Sequence, residues 1–296
     1  MPVKTRFPAP PTPLMPTYRN VAILGVGLIG GSIGLALRQR GLAGEVVGIG
    51  RRQASLDKAL AHGAVDRATT DLAEGAAAAE VVVIATPVDS VVEDVCRAVA
   101  AAPPTAWLTD VGSAKAAICG QVETRLADAA KRFVGSHPLA GDHRCGPENA
   151  SASLLTGKTV VVTPYETTPT ALAKRAAEFW QALGASVTTM SPAQHDQALA
   201  ATSHLPHLVA SALAASTPVE WLPLAASGWA DTTRLAAADP ALWTQIFAQN
   251  QADVLESLDR FIEQLKQLQT ALVDQRWSQI QDQLQQAKRM RDALGN

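Results

Sequence analysis

Short runs rich in Val and Ile alternate with Ala-rich stretches between Asn20 and about Met190. The run 81–84 is apolar at every position, which is typical of a strand buried on both faces of a parallel sheet. The pattern predicts strands over 20–25, 45–49, 81–86, 106–110, 132–136, 158–163 and 186–190. Helices between them would cover both faces, so we expect an α/β fold built on a doubly wound parallel sheet.

The pattern changes after residue 191, where β-branched runs stop and apolar residues recur every three or four positions. This spacing predicts helices. We expect Asp239 to cap a helix of about 30 residues that begins at Pro240. A further helix would follow, with Trp277 on its apolar face. The predicted divisions are a leader over 1–18, an α/β domain over 19–190 and an all-α domain over 191–296.

The predicted long helix carries an apolar stripe that runs from Leu242 to Leu268. A domain of about 105 residues has few other helices against which to bury so long a stripe. We therefore expect a homodimer, in which the C-terminal helices of two subunits pack together. A helical bundle within one chain is the alternative.

Composition restricts the class of protein. Hydrophobic residues make up 47% of the chain and charged residues 18%, as in globular proteins, and a net charge of −2 offers no basic surface for nucleic acid. Cys96, Cys119 and Cys145 lack the spacing of a zinc site or a disulfide framework. The Pro-rich leader has no apolar run, so we expect it to be disordered and not a signal peptide or membrane span. A cytoplasmic protein that binds neither membrane nor nucleic acid is predicted.

A glycine motif, G-V-G-L-I-G, follows the first predicted strand and opens the first predicted helix. This is the context in which a Rossmann domain binds the pyrophosphate of a dinucleotide. Gly25 would permit the tight turn, Gly27 the approach of the pyrophosphate, and Gly30 the close packing of helix on strand. The backbone N–H groups at the helix start, including those of Leu28 and Ile29, would bind the phosphates.

The end of the second predicted strand indicates which dinucleotide is bound. A domain specific for NAD places Asp or Glu there to bind the ribose 2′-hydroxyl, whereas this chain has Gly50 followed by Arg51 and Arg52. A guanidinium binds a 2′-phosphate well. We therefore predict NADP as the cofactor. If both arginines lie only in a solvated loop, NAD remains usable.

Polar residues follow several predicted strands at their carboxyl ends, where such sheets place their active sites. Thr86 and Pro87 come after the third strand and are expected to contact the cofactor. The segment D-V-G-S-A-K ends the fourth strand, and G-S-H-P-L-A-G ends the fifth. His137 in the latter has a side chain whose usual pKa suits removal of a proton from a hydroxyl.

Two later segments extend these motifs, T-S-H-L-P-H from Thr202 and D-T-T-R from Asp231, the second followed by D-P-x-x-W. Together with D-V-G-S-A-K and G-S-H-P-L-A-G, they strongly resemble the prephenate/arogenate dehydrogenase family of tyrosine biosynthesis. The resemblance runs from Asn20 to about Leu294 and keeps the order and approximate spacing of the motifs.

The resemblance implies oxidative decarboxylation of a small cyclohexadienyl substrate with hydride transfer to NAD(P)+. Prephenate would give 4-hydroxyphenylpyruvate, or arogenate would give tyrosine. By motif, His137 would accept the proton of the ring hydroxyl, and Ser113 would orient that hydroxyl and His137. Lys115 would add positive charge near the substrate, or would simply face solvent.

The resemblance also assigns residues of the second domain. His204 and His207, three apart at a predicted helix start, would donate hydrogen bonds to the substrate or shape the cleft between the domains, and no metal is expected. Arg234 would bind a substrate carboxylate. Its alternative is a surface salt bridge with Asp231 or Asp239.

Other functions stay open at this point. A β-hydroxyacid dehydrogenase or imine reductase shares the two-domain plan, but the former typically has a catalytic Lys on the helix between domains, and 192–212 contains no Lys. A non-catalytic dinucleotide-sensing protein would need no such set of Ser, His and Arg. The choice between substrates is also open, because Asp142 would favour the ammonium of arogenate and Arg144 the keto acid prephenate.

Overall fold

The computed structural model describes residues 17–141 and 144–295. Most of the predicted leader, and Asp142 in the loop predicted to reach the substrate, lie outside the described residues. The predicted end of the leader at residue 18 is wrong. Tyr18 begins the first strand, and its buried ring packs edge-on against Phe179, with the ring centroids 5.8 Å apart. An aromatic residue here extends the core beyond the Val/Ile run that the prediction relied on.

The described residues contain one eight-stranded sheet with the order β3-β2-β1-β4-β5-β6-β7-β8. Its strands are Tyr18–Leu24 (β1), Ala43–Ile49 (β2), Arg67–Thr69 (β3), Val81–Ile84 (β4), Trp107–Asp110 (β5), Phe133–Pro138 (β6), Thr159–Thr163 (β7) and Ser186–Thr189 (β8). All seven predicted strands are present, and the predicted α/β fold class is confirmed. The order reverses between β1 and β4, as in a doubly wound sheet.

Two features of the sheet were not predicted. β3 has only three residues and no apolar run, and Arg67 in this edge strand forms ion pairs with Glu45 and Glu74. The second feature is a correction, because the sheet is not wholly parallel. β6 pairs with β7 in antiparallel fashion, and β8 runs parallel to β7. An apolar run indicates burial on both faces but not strand direction.

The helices of the α/β part lie between these strands. They are Leu28–Gln39 (α1), Gln53–Ala61 (α2), Leu72–Ala76 (α3), Val91–Ala101 (α4), Ala116–Leu126 (α5) and Thr170–Ala182 (α6). They bury both faces of the sheet. Val81 and Val83 belong to one apolar cluster and Val82 and Ile84 to the other, because successive side chains of a strand point to opposite faces.

The remaining helices are Pro192–Leu199 (α7), Leu205–Ser216 (α8), Ser227–Thr233 (α9), Pro240–Gln249 (α10), Gln251–Val273 (α11) and Trp277–Asp292 (α12). The chain divides into two compact units. The first comprises the residues up to Asp196 together with Ala238–Gln249, and the second comprises Gln197–Ala237 and the residues from Asn250 onwards. The first unit contains the sheet, and the second is helical. The predicted boundary at 190–191 lies just before α7.

The segment that carries two predicted site histidines is not a helix start, contrary to the prediction. A π-helical turn over Ala200–His204 joins α7 to α8, so helix runs continuously from Pro192 to Ser216. Pro206 lacks an N–H and its ring obstructs a regular α-helical turn before it. A wider turn before the proline accommodates it.

The predicted helix of about 30 residues from Pro240 is two helices instead. Asp239 caps the first, as predicted, with its carboxylate accepting a hydrogen bond of 2.9 Å from Ala241 N. Asn250 then leaves helical geometry, with φ −124° and ψ 35°, and α11 begins after it. Asn is disfavoured in a helix interior, and the side-chain amide of Asn250 forms a hydrogen bond with His204.

The helix over Pro192–Ser216 is long and apolar enough to cross a membrane by length and composition. Only 22% of its most apolar stretch is buried within the described residues. Core and interface helices of globular proteins meet the same two criteria, so this helix alone does not indicate a membrane protein.

Candidate active site

Four strands bring the predicted motifs to one edge of the sheet. β1, β4, β5 and β6 are neighbours, and each pair among them is parallel. Their carboxyl ends therefore lie at the same edge. The glycine turn follows β1, Thr86 follows β4, Asp110 ends β5, and His137 lies next to the last residue of β6.

The glycine turn has the geometry that a pyrophosphate requires. Gly25 has φ +97°, and a Cβ there would lie 2.5 Å from the carbonyl oxygen of Ala85. A Cβ at Gly30 would lie 2.0 Å from the carbonyl oxygen of Gly25, so only glycine permits this approach of α1 to β1. Gly27 has open space on its Cβ side. The turn therefore leaves room for a phosphate at the N-terminus of α1, beside Leu28 and Ile29.

A polar atom next to this turn lacks a partner. The hydroxyl oxygen of Thr86 is buried and has no hydrogen-bond partner in the described part of the chain. Buried polar atoms are nearly always satisfied, so an unsatisfied one beside a binding turn indicates a missing ligand. Pro87 follows and is exposed. Together with the glycine turn, Thr86 fits a bound dinucleotide.

The end of β2 has no carboxylate. Gly50 follows its last residue, Ile49, and the side chains of Arg51 and Arg52 are exposed. In the described ranges neither arginine takes part in an ion pair. Both guanidiniums are therefore available to an anionic ligand at this end of the strand.

His137 belongs to a buried chain of three side chains. Its Nδ1 lies 2.8 Å from Nε2 of His195, and Nδ1 of His195 lies 2.7 Å from Oδ1 of Asp196. His137 is 9% exposed, His195 0% and Asp196 1%. Asp196 also accepts hydrogen bonds of 2.8 Å from the backbone N–H groups of Lys115 and Ala116, at the start of α5. The second and third members of this chain were not predicted.

Lys115 is fully buried, so the predicted alternative in which it faces solvent is wrong. Its ammonium forms an ion pair with Asp110 and donates a hydrogen bond of 3.0 Å to the carbonyl oxygen of Ser136. Asp110 also accepts hydrogen bonds from Ser136 N (3.0 Å) and Gly112 N (2.9 Å). A buried charge needs such a pair. Lys115 and Asp110 thus join the ends of β5 and β6 immediately before His137.

The hydroxyl of Ser136 adds a second link between strands. It lies 2.8 Å from Oγ1 of Thr109 and accepts a hydrogen bond of 2.9 Å from the indole N–H of Trp180. All three residues are buried. The backbone on which His137 sits is therefore held by hydrogen bonds from β5 and from α6.

Ser113 is half-buried, and its hydroxyl makes no hydrogen bond within the described part of the chain. The hydrogen bond described above for the His137 ring joins its Nδ1 to His195 and not to Ser113. The predicted role of Ser113 in orienting His137 and the substrate hydroxyl therefore rests on the resemblance and stays a prediction.

The second unit brings two other predicted site residues together. Burial, and then the positive charge of Arg234, hold the pKa of His207 below its usual value of 6.5, against a hydrogen bond with the Leu235 backbone that raises it. Arg234 itself is exposed. Within the described part of this unit it has no carboxylate partner, so the predicted alternative of a salt bridge with Asp231 is not seen.

His204 is also buried in this unit, at 1% exposure. Its Nδ1 lies 3.2 Å from the side-chain nitrogen of Asn250, which donates the hydrogen bond. His204 and His207 thus have different partners, although they are only three residues apart. No cluster of three potential metal-ligating side chains occurs among the residues that the structure describes.

Two family models match the chain. The nucleotide-binding domain of prephenate dehydrogenase matches residues 33–189, and the dimerization domain of prephenate dehydrogenase matches residues 191–286. The chain belongs to the prephenate dehydrogenase family. The resemblance that the motifs indicated is thereby confirmed, and the family match decides against the hydroxyacid dehydrogenase alternative.

Individual relatives cover nearly the whole chain. The cyclohexadienyl dehydrogenase of Zymomonas mobilis is 30% identical over 289 residues, which are 95% of this chain and 97% of that protein. A crystal structure of the Aquifex aeolicus prephenate dehydrogenase with hydroxyphenyl propionate and NAD+ is 32% identical, with a TM-score of 0.86 over 93% of this chain and 98% of that one. Synechocystis arogenate dehydrogenase is 32% identical, with a TM-score of 0.81 over 93% and 99%.

As a member of the prephenate dehydrogenase family, the chain is an oxidoreductase that uses a nicotinamide dinucleotide, which confirms that part of the prediction. Sequence reasoning did not find His195 and Asp196 beside His137, or Asn250 beside His204. One signal was available for the first two. An adjacent His and Asp at the start of an otherwise apolar helix are costly to bury unless they bind each other or a neighbouring polar group.

Proposed function

We propose that this chain catalyses the oxidative decarboxylation of prephenate or arogenate. The observation that carries the proposal is the placement of His137 at the carboxyl edge of the sheet. His137 lies on β6, and the glycine turn follows β1 at the same edge, with β4 and β5 between these two strands. A proton acceptor and a dinucleotide turn at one edge suit removal of hydrogen from a secondary alcohol.

When bound, a nicotinamide dinucleotide supplies the hydride acceptor. His137 accepts the proton of the ring hydroxyl as hydride leaves the ring carbon that bears it. The bond to the ring carboxylate then breaks, carbon dioxide departs, and the bonding electrons stay in the ring, which becomes aromatic. His137 returns its proton to the oxygen, so the substrate loses one hydride and one carbon dioxide in total. Such proton transfer contributes ~10²–10⁴-fold to rate.

Other residues bind and orient the substrate in this proposal. Ser113 hydrogen-bonds the ring hydroxyl, and exposed Arg234 binds a substrate carboxylate. His207 remains neutral beside Arg234 and donates or accepts a hydrogen bond, as does His204. We propose that Lys115 does not contact the substrate. Its charge is engaged with Asp110, so it fixes the strand ends that hold His137.

We propose NADP+ as the preferred cofactor. The support is the combination of Gly50, with no carboxylate to repel a 2′-phosphate, and two exposed arginines with no ion pair within the described ranges. Thr86 and Pro87 line the same edge of the sheet, after β4. The Aquifex aeolicus relative was crystallised with NAD+. Cofactor preference therefore has to be measured on this chain.

We further propose a cytoplasmic homodimer. The second unit exposes many large apolar side chains in a single chain, among them Trp221, Leu272, Trp277, Leu284 and Met290, each more than half exposed. The match of residues 191–286 to a dimerization domain supports a second copy as the partner that covers them. Such a dimer would also cover apolar helical surface that would otherwise suggest a membrane.

The purified chain tests the proposal directly. Reduced cofactor is measured with prephenate and with arogenate, each in the presence of NADP+ or NAD+, and carbon dioxide release is measured in parallel. We expect equal amounts of both products, with higher kcat/KM for NADP+. Reduction without carbon dioxide release, or no reduction with either substrate, would contradict the proposal.

A further inference from the structure

We propose that His195 and Asp196 are positioning residues that fix the tautomer and the orientation of the His137 ring. The inference rests on the proposed function, in which His137 accepts the substrate proton. It assigns the reacting nitrogen to Nε2 of His137. Neither His195 nor Asp196 is assumed to touch substrate or cofactor.

Asp196 is held in place by two backbone N–H groups. Its Oδ1 accepts the N–H of Lys115 and its Oδ2 the N–H of Ala116, both at 2.8 Å. These two amides belong to the first turn of α5, where a carboxylate is favoured by the helix dipole. Two backbone donors therefore hold the carboxylate plane in one position. An ionised carboxylate only accepts hydrogen bonds.

The next step fixes His195. Its Nδ1 lies 2.7 Å from Oδ1 of Asp196, so Nδ1 must carry the hydrogen of this bond. In the neutral imidazole the other nitrogen, Nε2, then carries a lone pair. That nitrogen lies 2.8 Å from Nδ1 of His137. His195 thus accepts, and His137 donates from Nδ1.

The accepting nitrogen of His195 fixes the tautomer of His137. With its hydrogen on Nδ1, the neutral ring carries its lone pair on Nε2, which is the nitrogen that can take up a proton. The opposite tautomer would place two hydrogens, or two lone pairs, between the rings. After proton uptake the positive ring still donates to His195, whose far side faces the carboxylate. The hydrogen bonds that run from His137 through His195 to Asp196 therefore stabilise both the neutral and the protonated ring of His137, as the Asp does in a Ser-His-Asp triad.

The surroundings favour a fixed ring over a mobile one. His195 is fully buried and Asp196 nearly so, and the rings of the two histidines meet edge to face at 64°, with centroids 5.1 Å apart. Lys115, whose backbone N–H binds Asp196, has its ammonium paired with Asp110. Burial thus keeps water from His195 and Asp196, and the hydrogen bonds that join them to His137 are stronger than they would be in solvent.

Two substitutions of His195 separate positioning from packing. In His195→Gln the amide oxygen takes the place of Nε2 and still accepts from His137. In His195→Asn the shorter amide takes the place of Nδ1 and retains only the bond to Asp196. Both remove the imidazole, so both lose ring packing. His62→Gln is the control for loss of a histidine, because the Nε2 of His62 bonds the Ala150 carbonyl oxygen at 3.0 Å and not a residue of the His137 group.

We expect His195→Asn to lower kcat by about 100-fold or more, with KM for substrate and cofactor within about threefold, because the wrong tautomer of a base costs that much in triad enzymes. His195→Gln should recover most of this loss. Equal kcat in the Asn and Gln variants, or a loss confined to KM, would overturn the proposal.

Heteronuclear NMR of the imidazole nitrogens reads the tautomer without any substrate. We expect hydrogen on Nδ1 of His137 in the unmodified chain and in His195→Gln, and a mixture of tautomers in His195→Asn. Hydrogen on Nε2 of His137 in the unmodified chain would overturn the proposal. If the chain oxidises neither prephenate nor arogenate, the proposed function fails, whereas this NMR result still decides on the positioning role.

Discussion

At the scale of single residues, the site combines side chains that act on substrate with side chains that hold them. His137 and Arg234 belong to the first kind in our proposal, and Lys115, Asp110 and Asp196 to the second. The sequence motifs identified the first kind because the segments that contain His137 and Arg234 resemble those of a known family of dehydrogenases. The second kind is recognisable only once contacts between residues far apart in sequence are known.

His137→Asn should abolish turnover, with a loss of kcat of ~10²–10⁴-fold, because the amide cannot take up the hydroxyl proton. Substrate affinity, measured by calorimetry, should stay within a few-fold of the original. A variant that keeps near-normal kcat would show that another residue is the base.

Arg234→Gln should act on binding instead. Loss of a charge-assisted hydrogen bond to a carboxylate costs about 1.5–3 kcal/mol, which corresponds to a rise in KM of roughly 10- to 100-fold. Arg234→Lys, which keeps the charge but not the two-pronged geometry, is the matched control and should lie between. Unchanged KM in Arg234→Gln would contradict the assignment.

Gly50→Asp should shift cofactor preference from NADP+ towards NAD+ by about 10-fold or more, because a carboxylate repels the 2′-phosphate and binds the 2′-hydroxyl. A Cβ at this position would lie 3.2 Å from Cδ2 of Leu56, so that side chain has to move slightly. Gly50→Asn has the same size without the charge, and it should leave the ratio of kcat/KM values closer to the original. Equal effects of Asp and Asn would indicate that size, and not charge, matters.

His207 gives the folded chain a defined dependence on pH. Burial and the charge of Arg234 hold the pKa of His207 below 6.5, its usual value. The unfolded chain therefore binds more protons at this residue, and stability falls as pH drops through about 6.5. Thermal melts of His207→Gln should lose less stability between neutral and mildly acidic pH than melts of the unmodified chain. An identical pH dependence would exclude this contribution.

At the scale of elements, apolar patterns predicted α1 and all seven strands of four or more residues. In strands such as β4, burial on both faces leaves a continuous Val/Ile run. β3 escaped because three residues at a sheet edge need no such run. The π-helical turn and the break at Asn250 escaped for another reason. The π-helical turn accommodates Pro206, and the break coincides with the hydrogen bond from Asn250 to His204, whereas the apolar pattern is helical on either side of each.

Asn250 should therefore matter more than its place between two helices suggests. Asn250→Ala removes the donor to Nδ1 of buried His204, which should lower the free energy of unfolding by about 1–3 kcal/mol. Gln251→Ala, one residue later on the exposed surface, is the control and should change stability little. Denaturant titration measures both. A stability in Asn250→Ala equal to that of the control would show that the amide is not needed.

At the scale of the whole molecule, the helical unit leaves apolar surface that one chain does not cover. The sequence predicted this from the length of the apolar stripe, although the stripe lies on two helices and not one. The apolar pattern does not predict which surfaces of the two subunits pack against each other, because that depends on the second copy.

The dimer is tested on α12. Light scattering should give twice the chain mass of 31.0 kDa for the unmodified protein. The double change Leu284→Glu and Met290→Glu places charges on its exposed apolar face and should shift the mass towards a monomer. Gln285→Glu, which lies at least 100° around the helix from both changed residues, adds a charge without that effect. A monomeric unmodified chain would refute the homodimer.

The hydrogen bonds from Asp196 to the start of α5 also bear on how the protein is made. They join residues 80 and 81 positions apart, so α5 emerges from the ribosome long before its capping carboxylate does. Long-range contacts of this kind form late in folding. The strands from β1 to β6 are therefore all synthesised before α7, and His195 can orient the ring of His137 only when α7 has been synthesised. A nascent chain acquires its dinucleotide turn well before it acquires a competent base.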